Sequence, residues 1–381
     1  MQYQICRRCV MDTSDPFIEF DEAGNCNHCK RAMQLAKRYP RSLSFEDRKK
    51  ALDSLLAEVK RNGRRKRYDC IIGLSGGVDS SYVACRVKDE GLRPLAVHLD
   101  NGWNSELAVK NIENICSKLN IDLYTVVLDW EEFKSLQLAF LKASTPDSEV
   151  PSDHAIVASL HEIAKKECCR YIITGYNSQS ESILPSAWSQ GHFDWRYIKS
   201  VNRRYGTKKL KKYPHYGYWN FLRLSAGLGY VHGVKMINLL DYLDYDKEIA
   251  KSYVTEKVGW RNYGRKHGES NYTKIYQEYI LPEKFGFDKR RAHYSSLIMS
   301  GQLTREVALE MLNEKLYETD EQLNEDLFYF TNKLGISKHE FREIMETPPR
   351  SYFDFPNYQK DPLYHFLANG YRFLKDLGLK Q

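Results

Sequence analysis

Short apolar runs alternate with amphipathic stretches through the first two thirds of this chain. Tyr68–Leu74, Pro94–Leu99, Asp122–Leu128, Arg170–Gly175 and Gly233–Leu240 have the length and β-branched content of strands. Between them, apolar residues recur at helical spacing over Asp79–Glu90, Ser105–Leu119, Glu131–Ala143 and Ser152–Glu167. An earlier helix is expected from Ser44 to about Asn62. It carries the stripe Leu52, Leu55, Leu56 and Val59, opens on Ser44 with Asp47 as a loose capping box, and stops at Gly63. Strands alternating with helices predict an α/β fold, a doubly wound parallel sheet covered on both faces. Ligands of such sheets sit beyond the carboxyl ends of the strands. That rule gathers Ser75–Ser80, Asp100 and Asn101, Thr174–Glu181 and Leu240–Asp246 around one crevice.

From Gly175 to Gly233 the pattern lapses into a stretch rich in Tyr, Trp, Gly and Ser, which reads as a long functional loop. Beyond Asp246 the strand signal fades. Helical spacing returns over Lys247–Val258, Tyr272–Tyr279, Asp288–Ser300, Thr304–Leu312, Glu321–Leu334 and Lys338–Glu346.

The chain of 381 residues is long enough for a full core in two or three units. No apolar run approaches the roughly 18 residues of a membrane span. The opening Met1–Cys9 has no apolar segment of a secretory signal, so a cytoplasmic protein is expected, whose nine cysteines hold metal or stay buried thiols. The net charge of +7 is concentrated. Lys60, Arg61, Arg64, Arg65, Lys66 and Arg67 form one basic cluster. Arg203, Arg204, Lys208, Lys209, Lys211 and Lys212 form another, beside Tyr205, Tyr213 and Tyr216. Such patches suit an anionic ligand, an acidic partner or a solvated surface equally.

The first predicted strand ends in Ser75-Gly76-Gly77-Val78-Asp79-Ser80, at the start of a helix. Two glycines let backbone N–H groups approach a ligand, and the helix turns its positive end to the same spot. That is a cradle for phosphate oxygens. Its spacing is not G-x-x-x-x-G-K-[ST], and no lysine follows to reach a γ-phosphate. S-G-G-x-D-S instead resembles the pyrophosphate loop of the ATP pyrophosphatase superfamily, which cleaves ATP to AMP and pyrophosphate while adenylating a substrate oxygen.

Cys6-x-x-Cys9 and Cys26-x-x-Cys29 have the spacing of a closed structural Zn2+ site. His28 lies inside the second pair but is superfluous beside four thiolates.

Three elements coincide: C-R-R-C with C-N-H-C at the start, S-G-G-V-D-S, and W-R-N-Y-G-R-K-H-G-E-S at 260–270. With I-N-L-L-D-Y (237–242) and Y-I-L-P-E-K-F-G-F-D-K-R-R-A-H (279–293), they make the chain similar to the N-acetyl sugar amidotransferases of bacterial lipopolysaccharide O-antigen and flagellin-glycan biosynthesis. The resemblance implies an adenine nucleotide alpha hydrolase-like PP-loop domain over 41–246, a zinc ribbon over 1–40 and a helical C-terminal region over 247–381. It implies conversion of a sugar N-acetyl group to an acetamidino group with ATP, Mg2+ and ammonia. The ammonia would come from a separate glutaminase, similar to that of histidine biosynthesis, acting with a cyclase-like subunit. The substrate would be an N-acetylated nucleotide sugar or related acidic sugar; no nucleic acid is expected. On this reading Ser75, Gly76, Gly77 and Ser80 hold pyrophosphate, and Asp79 orients the loop or the metal. Thr174, Gly175 and Asn177 line the nucleotide side, and Asp100 meets the ribose or a metal, unless it is a plain turn residue.

Other polar candidates stand further from the motif. Arg261, Arg265, Lys266, His267, Glu269 and Ser270 either grip a phosphate or sugar carboxylate or form a solvated loop, with Lys266 a candidate catalytic group. Asp241 and Asp246 bracket Tyr242 and Tyr245. One of the two carboxylates binds Mg2+ or deprotonates ammonia, or else Asp246 caps a helix and the tyrosines pack. Lys289, Arg290 and Arg291 are a phosphate patch or an exposed helix face, and the aromatics from Trp188 to Trp219 stack a ligand or fill the core. No cysteine nucleophile of a glutaminase is evident, so ammonia must be delivered. The rival is a tRNA-thiolating enzyme with the same ribbon and loop. Beyond Cys29, however, only Cys70, Cys85, Cys116, Cys168 and Cys169 remain, with no second C-x-x-C.

Overall fold

The computed structural model describes residues 2–225, 233–264 and 268–366. In chain order its elements are α1 (Asn27–Ala36), α2 (Phe45–Gly63), β1 (Cys70–Gly73), α3 (Val78–Asp89), β2 (Pro94–Asp100), α4 (Glu106–Leu119), β3 (Asp122–Val127), α5 (Trp130–Ala143), α6 (Val150–Lys166) and β4 (Tyr171–Thr174). They continue with α7 (Trp195–Tyr205), α8 (Tyr218–Ser225), β5 (Lys235–Asn238), α9 (Lys247–Val258), α10 (Asn271–Ile275), α11 (Lys289–Met299), α12 (Arg305–Leu312), α13 (Asp320–Leu334) and α14 (Lys338–Glu346).

The five strands form one parallel sheet in the order β3-β2-β1-β4-β5. Cys70, Ile71 and Ile72 on central β1 are fully buried because helices cover both faces. On one face Leu52, Leu56, Val59, Val83, Val87, Ile112 and Ile115 meet Ile72 and Ile173; on the other Leu160, Ile163 and Ala164 meet Ile71 and Ile172. The strand order reverses direction between β1 and β4, so the crevice at their carboxyl ends is the switch point of the sheet.

Ala250, Val254 and Val258 of α9, with Trp260, complete the core beside α3. The sheet unit therefore runs past the expected boundary at residue 246. Asp246 caps α9, accepting from the N–H groups of Glu248 and Ile249.

The segment after Gly175 is more ordered than its pattern suggests. It holds α7 and α8; their Trp195, Tyr197, Ile198, Val201 and Phe221, with Tyr213 and Tyr216 of the connection between them, join α5 and the C-terminal helices in a second, aromatic core. The aromatics there are core, as is Trp188, while Trp219 is 65% exposed. A helix expected over Tyr272–Tyr279 starts as α10 and widens into a π-helix over Tyr276–Phe285, with Pro282 inside it.

His154 is fully buried in the aromatic core, its ring 4.3 Å from that of Tyr216 and its Nδ1 2.9 Å from the His192 carbonyl oxygen. Burial pushes its pKa from 6.5 down to about 3. The folded state thus requires the neutral ring, while the unfolded chain takes up a proton below pH 6.5. Stability from this site is complete above that pH and is lost as pH falls toward 3. A His154→Phe variant should be about 1 kcal/mol less stable than the parent at pH 7, having lost the hydrogen bond. By pH 5 the parent should have lost about 2 kcal/mol that the variant keeps, which reverses the order and leaves the variant about 1 kcal/mol the more stable. Urea unfolding at both pH values checks this, and a gap independent of pH would contradict it.

Candidate functional site

β1 hands the chain to α3 through Ser75–Gly77. Gly76 has φ +83°, and a Cβ there would lie 2.6 Å from the Ala108 carbonyl oxygen, so only glycine fits. Most helices of this chain are capped by Ser, Thr or Asp, but α3 begins on Gly77 with no side-chain cap. Its first-turn N–H groups and dipole are thus left to face an anion. Ser75 and Ser80 face each other across the turn, Oγ to Oγ 3.2 Å, and the Gly77 N–H donates to Ser75 Oγ at 3.3 Å. Gly175, just past β4, presses on this turn: a Cβ there would be 2.9 Å from the Ser80 nitrogen. Trp260 pins it from below, its Nε1–H donating to the Gly76 carbonyl at 2.8 Å.

Four further groups close on the turn. The Tyr245 hydroxyl donates to the Asp79 carboxylate. Tyr263 shares a hydrogen bond with Glu269, and a Cβ on Gly77 would meet the Tyr263 phenol oxygen at 3.1 Å and the Glu269 carboxylate at 3.5 Å. Burial, then the Asp79 carboxylate, then Glu181, push the Tyr245 phenol up; burial, then Glu269 and Asp79, do the same for Tyr263. Both remain protonated donors. Asp79, Glu181 and Glu269 make the mouth anionic, unfavourable for a polyphosphate by itself. Carboxylate oxygens are the donors a hard divalent cation such as Mg2+ takes, and a bound Mg2+ would offset this charge.

The other expected residues sort clearly. Thr174 lies beside Asn238, its Oγ1 donating to Asn238 Oδ1 at 3.0 Å. Asn177 is fully buried, and its Oδ1 accepts from the N–H groups of Gln179 and Ser180 while its Nδ2 has no partner among the described residues. Asp100, at the end of β2, accepts from the Gly102 N–H at 2.9 Å and from Asn104 Nδ2 at 3.2 Å. Asp241 is engaged structurally, Oδ1 accepting from both the N–H and the hydroxyl of Ser178 at 2.7 Å. Arg261 is exposed, and its backbone pairs with the Asn111 side chain on α4. Ser270 caps α10. Arg265, Lys266 and His267 lie outside the described residues.

Lys289, Arg290 and Arg291 form neither a phosphate patch nor an exposed face. They pair with Glu149, Asp288 and Asp12 respectively, at 3.2, 2.8 and 3.0 Å. Glu149 and Asp12 lie far along the chain and cannot be read from local charge, whereas Asp288 is two residues from Arg290. Also unforeseen is His98, buried beneath the crevice, whose Nδ1 meets the Leu74 carbonyl and whose Nε2 meets Asn104. It ties the end of β1 to the loop after β2; its only sequence signal is a polar residue in an apolar strand.

At the N-terminus the sulfurs of Cys6, Cys9, Cys26 and Cys29 are buried and lie within 4.8 Å of one another, with neighbouring pairs 3.6 to 3.8 Å apart. Tetrahedral Zn2+ with Zn–S bonds of about 2.3 Å requires sulfurs about 3.8 Å apart, so the four residues fit zinc. His28 is turned away to Asp15, at 2.6 Å. The knob carries only single β-bridges, Ile5 with Asp12 and Phe20 with Cys26, and its second cysteine pair opens α1. Among the described residues no helix is long and apolar enough to cross a membrane.

Residues 68–183 match the family model of the tRNA methyl transferase HUP domain, and residues 269–370 match that of the LPS biosynthesis protein WbpG-like C-terminal domain. The chain is 35% identical over 77 residues to the tRNA(Ile)-lysidine synthase of Chlamydia pneumoniae, which is 19% of this chain and 24% of that protein. It is 29% identical over 119 residues to the tRNA-specific 2-thiouridylase MnmA of Helicobacter hepaticus, 29% of this chain and 34% of that protein. The chain thus spans between a quarter and a third of the length of these curated relatives. Among solved structures it aligns with an NH3-dependent NAD synthetase from Campylobacter jejuni at 16% identity and TM-score 0.30, covering 42% of this chain and 73% of that one. It aligns with an NMN synthetase from Francisella tularensis at 16% identity and TM-score 0.28, covering 56% and 87%.

Proposed function

Because this chain joins a PP-loop nucleotide domain to a WbpG-like C-terminal domain, in keeping with the PP-loop ATP pyrophosphatases of LPS biosynthesis, we propose that it is an AMP-forming amidotransferase. It converts the N-acetyl group of a sugar to an acetamidino group. The observation that carries this reading is the seam between the two matched segments. Glu269 and Ser270, the first residues of the WbpG-like segment, run beside the loop after β2: the Ser105 N–H donates to the Glu269 carbonyl at 2.8 Å, and the Asn271 N–H to the Trp103 carbonyl at 2.9 Å. The segment that distinguishes this chain from its tRNA-modifying relatives therefore starts at the phosphate cradle itself.

An acetamide carbonyl is a poor electrophile and its oxygen a poor leaving group. Transfer of the adenylyl group to that oxygen makes AMP the leaving group, and ammonia then adds to the carbon and expels it. In this scheme the first-turn N–H groups of α3, with Ser75 and Ser80, hold the departing pyrophosphate. Asp79 and Glu269 are the residues that would hold Mg2+, which when bound would screen the phosphate charge. Tyr245 and Tyr263 stay protonated and fix those carboxylates in place.

Ammonia is expected from a separate glutaminase and a cyclase-like subunit. The basic residues from Lys60 to Arg67 precede β1, at the amino end of the sheet, away from the cradle. Arg203–Lys212 are better placed: Lys212 Nζ pairs at 2.9 Å with Asp129, two residues past the carboxyl end of β3. We assign the partner's footprint there.

The thiolation reading draws on the tRNA-modifying relatives. It requires a cysteine near the crevice. Cys70 and Cys169 sit at the amino ends of β1 and β4, Cys168 beside them, and Cys85 and Cys116 in the later halves of α3 and α4. All five lie toward the opposite edge of the sheet. Incubation with ATP, Mg2+, ammonium and a panel of N-acetylated nucleotide sugars should yield AMP and a product one mass unit lighter, as NH replaces O. No such product from any member of the panel, with AMP appearing only when tRNA is added, would contradict the reading.

A further inference from the structure

A cleft of about 320 Å3 opens beside the cradle, lined by Asp100, Asn101, Gly102, Val127, Leu128, Trp130 and Lys333. Its size falls within the ~300–1,000 Å3 of small-molecule sites. Asp100 pairs in register with Val127, so the cleft lies at the carboxyl ends of β2 and β3. β2 neighbours β1, so the cleft and the phosphate cradle open at the same, carboxyl end of adjacent strands.

Lys333 belongs to α13, within the WbpG-like segment. Its Nζ lies 5.1 Å from the ring centre of Trp103, 5.5 Å from that of Trp130 and 5.2 Å from that of Tyr329, and it donates to the Tyr329 hydroxyl at 2.9 Å. Among the described residues it has no carboxylate partner. The platform beneath it is rigid: Trp103 is fully buried, packs against Tyr272 and Phe330, and donates from Nε1 to Gln137 at 2.6 Å. A cation fixed on aromatic rings, without a counter-ion and facing a cleft, is pre-organised for an anion. Across the cleft, Asp100 Oδ1 is occupied by Gly102 and Asn104, while Oδ2 has no partner among the described residues and is left to accept from a hydroxyl. Leu128, Val127 and Trp130 add an apolar wall. Hydroxyl acceptor, apolar wall and lone cation together describe a pyranose bearing one acidic group.

We propose that this cleft binds the acceptor as an anionic N-acyl sugar, with Lys333 on its carboxylate or phosphate and Asp100 Oδ2 on a ring hydroxyl. Calling that sugar the acceptor rests on the amidotransferase reading. The sheet then supplies the phosphate cradle, and the WbpG-like segment supplies acceptor selectivity. Arg261, exposed on α4's side, is not part of this cleft.

Calorimetric titration of the full chain with N-acetylglucosamine, its 1-phosphate and its 6-carboxylate tests the site without turnover. At least one anionic sugar should bind about tenfold or more tightly than the neutral one, and which one does so identifies the anion. Lys333→Met should erase that preference with little change in melting temperature, and Lys333→Arg should retain most of it. Equal affinities in the parent protein, a preference that survives Lys333→Met, or no binding of any of the three at about 10 mM would each overturn the proposal. Turnover separates this site from the reaction. Unchanged KM for an anionic acceptor in Lys333→Met sinks the cleft alone. Lys333-dependent binding without AMP release upholds the cleft and counts against the reaction.

Discussion

Asp79→Asn is expected to slow AMP formation by at least about a thousandfold while moving the melting temperature only a few degrees. The substitution keeps an oxygen that accepts from the Tyr245 hydroxyl, so the buried phenol retains its partner. What it removes is one negative charge at the N-terminus of α3, on a residue that would hold the proposed Mg2+. Loss of a metal-holding carboxylate acts on the transition state, so kcat should fall much more than KM rises. Ser80→Ala is a milder companion: it removes the hydroxyl facing Ser75 and should cost about one order of magnitude or more. Steady-state pyrophosphate release, with thermal melting as the control, checks both. Undiminished release by Asp79→Asn would show that the cradle has been misassigned.

Cys26→Ser is expected to release about one equivalent of zinc and lower the melting temperature by about 10 °C or more. The reason lies in how little else holds the N-terminal knob. Its interior is four sulfurs with Met11 and Ile18, too small a core to fold unaided. The knob is also clamped to the C-terminal helices. Arg305 donates to the carbonyls of Cys6 and Cys9 at 3.0 to 3.2 Å, Arg291 donates to the Val10 carbonyl at 2.9 Å, and the Val10 N–H donates to Ser295 at 3.2 Å. Opening the thiolate shell should therefore loosen α11 and α12 along with residues 1–40. Metal content by elemental analysis and a melting curve decide the matter; unchanged zinc and unchanged melting would contradict the structural-metal assignment.

The nucleotide domain was legible because its determinants are local. A buried strand, two glycines and a helix start lie within about a dozen consecutive residues, from Cys70 to Ser80, and each carries its own steric reason. The caps at Ser44 and Asp246 were legible on the same grounds: a short oxygen-bearing side chain before a periodic run. Helix α7 was not: Trp195, Ile198 and Val201 recur at helical spacing, but they sit inside a stretch rich in Tyr, Trp, Gly and Ser that reads as loop. Its helicity is fixed by the Asp194 cap and by packing on α5, contacts made far along the chain. The same holds for the candidate site. Gly76, Asp79 and Gly175 declared themselves, whereas Tyr245, Tyr263, Trp260 and Lys333 reach it only through tertiary folding. Asp241 illustrates the converse: a carboxylate in a suggestive place, engaged by the N–H and hydroxyl of Ser178.

The step on which everything turns is transfer of the adenylyl group to the acetyl oxygen. An acceptor carrying 18O in its N-acetyl carbonyl, incubated with ATP and ammonium, should give AMP that bears the heavy oxygen on phosphorus, beside an acetamidino sugar without it. Unlabelled AMP, or ADP in its place, would mean that this oxygen never met the α-phosphorus.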